Sequence, residues 1–245
     1  MNALGIIPAR FASSRFPGKP LAKIAGIPML KRTFTQAKKA KLLSDVLVAT
    51  DSKEIMDFCK KESIKAALTS QNCQCGTDRL AEISQNLKAD FYINIQGDEP
   101  IINPNCIDEI ITLAINFPHY HAFNLYKICN STQAKRDTII KMILNKDDEL
   151  LYASRFPIPF SKSAKIPIFY NQVCVYAFTQ EALKCYGADK QKSKNEKYED
   201  IEILRLLDLG FKVKMKEVSY ESIAVDIPSD IELVEEYLKK HTKKR

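Results

Sequence analysis

The chain of 245 residues has no GxxxxGK[ST] run, no CxxC pair, no apolar stretch of membrane-spanning length and only three histidines. Each absence excludes something. Without the glycine-rich run, a phosphate cannot be cradled in a P-loop's nest of backbone N–H groups. Without CxxC, and with His119, His121 and His241 far in sequence from the one close cysteine pair, Cys73-Gln74-Cys75, a zinc site is not expected. A spanning helix needs about 20 apolar residues, so no membrane partner is expected. The N-terminus lacks targeting character. Seven cysteines, an odd number, do not read as a disulfide framework, so a reducing, cytoplasmic setting is the expectation.

What is present is the chemistry of a soluble globular protein with an excess of base. At 45% hydrophobic and 27% charged residues, the chain can bury a full core as one large domain. The net charge is +7, and Lys239, Lys240, Lys243, Lys244 and Arg245 crowd the end. That tail reads as a solvated terminus in preference to a nucleic-acid arm. The remaining excess suits an anionic substrate.

The most informative stretch is residues 5–21, Gly5-Ile6-Ile7-Pro8-Ala9-Arg10 through Pro17-Gly18-Lys19-Pro20-Leu21. Leu4 to Ile7 has the continuous apolar character of a buried strand, and Pro8 is expected to end its hydrogen-bonded pairing. A loop follows with Arg10, Arg15 and Lys19, the hydroxyls of Ser13 and Ser14, and a Pro17-Gly18 turn. Cations and hydroxyls past the carboxyl end of a strand can cradle a polyphosphate, because ligands of open α/β sheets bind at that edge. A solvated basic loop is the alternative.

The rest of the first half alternates strand and helix: Asp45–Ala49, a helix capped by Ser52, Ile64–Leu68, a helix from Gly76, Phe91–Ile95, and a helix from Pro104 to Ile115. That alternation predicts an α/β fold with a doubly wound, mainly parallel sheet. The second half is less regular. Strands are expected at Ala122–Lys127, Thr138–Leu144, Leu150–Ala153, Val173–Phe178, Phe211–Val218 and Ile223–Asp226. A short helix is expected from Thr179, a flexible loop over 187–197, one helix over Tyr198–Leu209, and a last helix after Ile227-Pro228. Pro157, Pro159 and Pro167 predict an extended excursion over 156–168.

Asp98 directly follows the Phe91–Ile95 strand, and Asp226 ends another. Two carboxylates at the sheet edge that carries Arg10, Arg15 and Lys19 suit a metal–polyphosphate site. Mg²⁺ takes one or two carboxylates together with phosphate oxygens and water. The simpler readings are an N-cap for Asp226, ahead of Ile227-Pro228, and an acidic turn for Asp98-Glu99-Pro100.

Taken together, residues 5–21, Ala49-Thr50-Asp51, Gly76-Thr77-Asp78-Arg79-Leu80-Ala81-Glu82, Asn94-Ile95-Gln96-Gly97-Asp98-Glu99-Pro100, Ser154-Arg155, Ile158-Pro159 and Val225-Asp226-Ile227-Pro228 resemble the 3-deoxy-manno-octulosonate (Kdo) cytidylyltransferase family, in order and over nearly the whole chain. The resemblance implies transfer of CMP from CTP to the anomeric hydroxyl of a 3-deoxy-ulosonic acid. It implies a CTP-binding part over about residues 1–120, a sugar-acid and dimerisation part over about 121–225, and a C-terminal helix and tail over 227–245. Arg10, Ser14, Arg15 and Lys19 would contact the triphosphate. Pro8, Ala9, Gly76, Thr77, Arg79 and Gln96 would frame the nucleoside. Lys19, Asp98 and Asp226 would be catalytic, with Asp98 and Asp226 holding Mg²⁺. Arg155, Gln172, Tyr176, Glu202 and Ile203 would meet the sugar acid. A homodimer would form through the proline-rich excursion.

The chain departs from the family pattern on the acceptor side. Asn72-Cys73-Gln74-Cys75 replaces Asp-His-x-Ser, Gln172-Val173-Cys174-Val175-Tyr176-Ala177 replaces His-x-Gly-x-Tyr-Gly, Ile203 replaces Gln, and Thr138 an Asn. A Gln-to-Ile exchange removes polar contacts that a hydroxyl-rich ligand would use. The expected acceptor is Kdo or a modified Kdo. A non-sugar acceptor such as a phosphonate, and a non-catalytic CTP-sensing role, are the alternatives.

Overall fold

Strand β1 (Ala3–Ala9) is buried along its whole length and lies in the interior of the sheet. In the computed structural model, which describes residues 1–12, 16–163 and 165–242, it is followed by a 3-10 turn at Lys19–Leu21. Ser13, Ser14, Arg15 and the last three residues of the tail lie outside the described residues. The first half continues with β2 (Lys23–Ile24), β3 (Ile27–Pro28), α1 (Met29–Ala37), β4 (Asp45–Thr50), α2 (Lys53–Lys61), β5 (Ala66–Leu68), α3 (Gly76–Asn86), β6 (Phe91–Ile95) and α4 (Pro104–Asn116). The second half holds β7 (Ala122–Cys129), α5 (Ser131–Ala134), β8 (Lys141–Leu144), β9 (Leu150–Ser154), β10 (Phe169–Phe178), α6 (Gln180–Tyr186), α7 (Lys194–Glu199), α8 (Ile203–Asp208), β11 (Val213–Glu217) and α9 (Asp230–Thr242).

The main sheet runs β11-β7-β10-β6-β1-β4-β5, with β8 paired to β10 and β9 to β8. β5, β4, β1 and β6 are parallel, β10 is antiparallel to β6 and β7, and β11 is parallel to β7. Neighbouring strand residues point to opposite faces, which gives two cores. Ile7, Val48 and Ile93 pack under α1, α2 and α4; Ile6 and Tyr92 pack under α3, α6 and α8. Each fully buried aliphatic side chain contributes roughly 1.5–3 kcal/mol. The α/β class and the mainly parallel sheet are as expected.

Several boundaries differ from expectation, each for a physical reason. Pro8 does not end β1. Pairing to β6 stops at Ile6↔Asn94, while pairing to β4 continues through Pro8↔Ala49 to Ala9↔Thr50, so the proline lies where only one neighbour pairs. The helix expected over 198–209 is two, α7 and α8. Asp200 between them has φ 53°, and the carbonyls of Glu199 and Asp200 are taken by the Arg155 side chain. α7 begins inside the supposed loop because Ser193 and Glu196 form a capping box. Residues 223–226 form no strand; their backbone–backbone bond is Val225 N–H to Asp98 O at 2.9 Å. Asn130 and Gln133 cap the short α5, which sequence reading missed.

One irregularity bears on the site. The β10–β7 register shifts between Val173 and Tyr176. The Asn124 amide donates to the carbonyls of both Val173 (2.8 Å) and Val175 (2.7 Å) and so pins this bulge. Bulges re-aim side chains, and here Cys174 faces the cleft.

Candidate active site

The parallel strands β1 and β6 end at one edge of the sheet, and a cleft of about 520 Å³ opens there. Pro8, Ala9 and Arg10 come from the end of β1, and Gln96, Gly97 and Asp98 from the end of β6. The two loops touch: a Cβ on Gly97 would lie 2.8 Å from the Pro8 carbonyl oxygen, so no side chain fits there.

Lys19 enters from the 3-10 turn, which follows Gly18 in the left-handed region (φ 69°). Its Nζ donates to Asp98 Oδ2 and to the Val225 carbonyl, both at 2.8 Å. The Val225 N–H bond to Asp98 O stitches the same two segments, and Asp226 is the next residue along the cleft wall. Asp230 accepts from the N–H groups of Asp226 (2.8 Å) and Ile227 (3.0 Å), which fixes that turn. The last helix starts at Asp230, four positions beyond the expected cap, so the N-cap reading of Asp226 does not hold. Negative charge concentrates here. The Glu99 carboxyl is pushed up to about 7, chiefly by burial and further by the charges of Asp98 and Asp226, against a hydrogen bond from Ser222.

The N-terminus of α3 forms another part of the lining. Glu202 accepts from Gly76 N–H (3.0 Å), Thr77 N–H (2.9 Å) and the Thr77 hydroxyl (2.6 Å). Burial raises its pKa and these bonds oppose the rise. Thr77 itself is buried and off the cleft wall. Arg79 lines the cleft but is held by Thr69 Oγ1 (2.6 Å) and Asp51 Oδ2 (3.0 Å). Sequence reading missed the adjacent buried network. There Arg205 donates to Glu196 (2.5 and 2.9 Å) and to Asp78 (2.8 Å) and lies 4.0 Å over the Tyr186 ring. The Ser-x-x-Glu signature of α7 was the one available signal.

The acceptor-side expectations divide. Arg155, Tyr176 and Glu202 line the cleft; Gln172 and Ile203 do not. Gln172 is buried in the sheet, with its amide donating to Asn124 Oδ1 at 3.0 Å. Ile203 is 1% exposed and packs in the apolar core on the α3–α6 face, where an inward-facing helix position selects an aliphatic side chain. It is corrected from a sugar contact to a core residue. Cys73, Cys75 and Cys174 also line the cleft. Burial keeps these thiols neutral, that of Cys73 being pushed up to about 12.

Among the described residues no group of three or more His, Cys, Asp or Glu side chains is arranged to hold a metal ion. Asp98 and Asp226, which line the same cleft, suit a cation that takes its other ligands from phosphate and water.

A lysine bound to an edge carboxylate, a second carboxylate on the segment stitched beside it and a cleft over the carboxyl ends of parallel strands suit an enzyme that binds a phosphate-bearing ligand. The chain belongs to the cytidylyltransferase family, whose model matches residues 4–223. It is 37% identical over 247 residues to a 3-deoxy-manno-octulosonate cytidylyltransferase of Chloroherpeton thalassium, covering 99% of this chain and 100% of that one. It is also 37% identical over 243 residues to an 8-amino-3,8-dideoxy-manno-octulosonate cytidylyltransferase of Shewanella oneidensis, covering 97% and 99%. A solved CMP:2-keto-3-deoxy-manno-octonic acid synthetase complexed with CTP superposes with a TM-score of 0.92 at 32% identity, over 98% of this chain and 100% of that one. No helix among the described residues is long and apolar enough to cross a membrane.

Proposed function

We propose that this cytidylyltransferase moves CMP from CTP to the anomeric hydroxyl of a 3-deoxy-ulosonic acid, Kdo or a modified Kdo, with release of pyrophosphate. The observation that carries the reading is the Lys19 bridge between Asp98 and Val225, which joins the basic loop to both carboxylate-bearing segments. In the reaction the anomeric hydroxyl gives its proton to water as its oxygen bonds to the α-phosphorus, and the bond from that phosphorus to the bridging oxygen breaks, that oxygen leaving with pyrophosphate. The chain's own residues position the two reactants, and such alignment supplies much of the catalysis in phosphoryl-type transfers. Pro8, Ala9, Gly76, Arg79 and Gln96 frame the nucleoside. Arg10 and Lys19, with Ser14 and Arg15 of the same loop, hold the triphosphate. Two unit charges at 4 Å attract by about 4 kcal/mol at an effective dielectric near 20, so a few such contacts select a triphosphate. Asp98 and Asp226 would hold Mg²⁺, which when bound neutralises charge on the phosphates and the departing pyrophosphate. Arg155, Tyr176 and Glu202 face the acceptor.

Pyrophosphate release with CTP, Mg²⁺ and a panel of ulosonic acids tests the reading. Turnover is expected with at least one of them. Tight CTP binding without turnover on any acceptor would make the chain a nucleotide sensor, and turnover on a phosphonate alone would give it a non-sugar acceptor. The Cys174 side chain occupies cleft space where the family pattern carries glycine, which favours a modified acceptor. Kdo turning over best would retire that refinement. We further propose a homodimer through the excursion, where Phe156 is 73%, Phe160 87% and Ile166 76% exposed. A monomer in sedimentation at micromolar concentration would remove it.

A further inference from the structure

In one part of the cleft lining, the cations Arg10, Arg155 and Lys192 act on a single carboxylate, Asp200. The residue at 200 fastens two of them. Its side chain pairs with Lys192, and its carbonyl accepts from Arg155 Nη2 at 3.0 Å. The left-handed backbone at Asp200, which Asp tolerates better than most residues, accompanies this double use. The Asp200 carboxyl is held below the usual range, first by the Lys192 hydrogen bond and further by the charges of Lys192, Arg155 and Arg10. A carboxylate of the chain's own thus sits in a ready-made anion site.

Arg155 is already engaged by backbone carbonyls at each of its three nitrogens. Its Nε donates to Glu199 O (2.6 Å), Nη1 to Asp137 O (3.0 Å) and Nη2 to Asp200 O (3.0 Å). The Nε edge is therefore closed to a side-on carboxylate pair. Lys19 is committed to Asp98 and Val225. Lys192 differs: its side chain is 24% exposed, whereas that of its partner Asp200 is 67% exposed. A half-exposed pair of this kind adds little stability, and Asp200 can turn to water at small cost.

We propose that Lys192 binds the acceptor's carboxylate, and that Asp200 is its built-in counter-ion, displaced when the sugar acid enters. The proposal rests on the ulosonic-acid reading above. The exchange swaps one ion pair for another, so the empty cleft never holds an uncompensated lysine.

Steady-state kinetics with the best ulosonic acid separate the possibilities. Lys192→Gln should raise the acceptor KM about ten- to a hundredfold, the range for a lost hydrogen bond to a charged group, with the CTP KM within about twofold. Lys192→Arg should recover most of the loss. Asp200→Asn keeps the carbonyl that Arg155 uses and should lower the acceptor KM, because the competing carboxylate is gone. An unchanged acceptor KM in Lys192→Gln, or a rise in the CTP KM alone, would overturn the assignment. So would an equal loss in Asp200→Asn, which would make the pair a structural brace. A wild-type enzyme inactive on every ulosonic acid would sink the functional reading itself, a distinct result.

Discussion

The two sides of the cleft are built by different means. On the proposed nucleotide side, each lining residue lies within a few positions of a strand or helix end: Arg10 after β1, Gln96 and Asp98 after β6, Gly76 at the start of α3. On the acceptor side, the lining residues are held by partners far away in sequence. Arg155 is held by the carbonyls of Glu199 and Asp200, separations of 44 and 45 residues, and Glu202 by Gly76 and Thr77, 126 and 125 residues away. The backbone of a parallel sheet sets most of the first side, Lys19 excepted, which is tied to Asp98 and Val225 79 and 206 residues away. Side-chain bonds between remote segments set the second. One substitution can therefore re-shape the acceptor wall while the nucleotide wall stands.

Four substitutions can break or sharpen that contrast. Asp98→Asn should lower kcat about a thousandfold or more, since it removes charge at the reacting phosphates, while the denaturation midpoint barely moves. A large stability loss would show that the Lys19–Asp98 bond, more than the sheet backbone, holds the nucleotide side. Arg205→Met should cost about 3–5 kcal/mol in chemical denaturation, because Glu196 and Asp78 lose their buried partner. Unchanged stability would remove long-range bonding as the support of the acceptor side. Asn124→Ala frees the Val173 and Val175 carbonyls and should cost about 1–3 kcal/mol. It should raise the acceptor KM and leave CTP binding unchanged, and equal effects on both substrates would erase the distinction.

The smallest effect concerns pH. Glu149 ties the β8–β9 hairpin to Tyr120 and Lys212. Hydrogen bonds from Lys212, Tyr120 and Asn145 hold its carboxyl at about 2, below the ordinary 4.5. The unfolded chain therefore takes up this proton first as pH falls. The stability Glu149 supplies is present above the unfolded value and is lost as pH drops through the folded one. Glu149→Gln should flatten that loss by about 1 kcal/mol, read from denaturation midpoints near pH 6 and pH 3.

Much of the nucleotide side was legible because its signals are local. An apolar run means a buried strand, and the residues just after it lie at the sheet edge; that placed residues 4–10 and 91–98, except that Pro8 stays paired to β4. Ser52, which accepts from Ile55 N–H, was readable as a cap for the same reason. The acceptor side was harder to read. Nothing near Tyr198 in sequence says that Arg155 will claim the carbonyls of residues 199 and 200 and break a helix there. Ile203 looked like a contact position by analogy, but the α8 rotation that buries it depends on packing against other elements.

By itself the sequence determined the α/β class, the central strands, the loop that carries Lys19, and the placement of Asp98 at the sheet's carboxyl edge. All of these follow from hydrophobic periodicity and turn chemistry over a few residues. Tertiary structure alone decided that Asp226 comes beside Asp98, that Cys174 is turned into the cleft by a pinned bulge, and that Asp200 sits among three cations. Those placements depend on hydrogen bonds that include ones between segments 45 to 206 residues apart, which exist only once the sheet has brought their partners together.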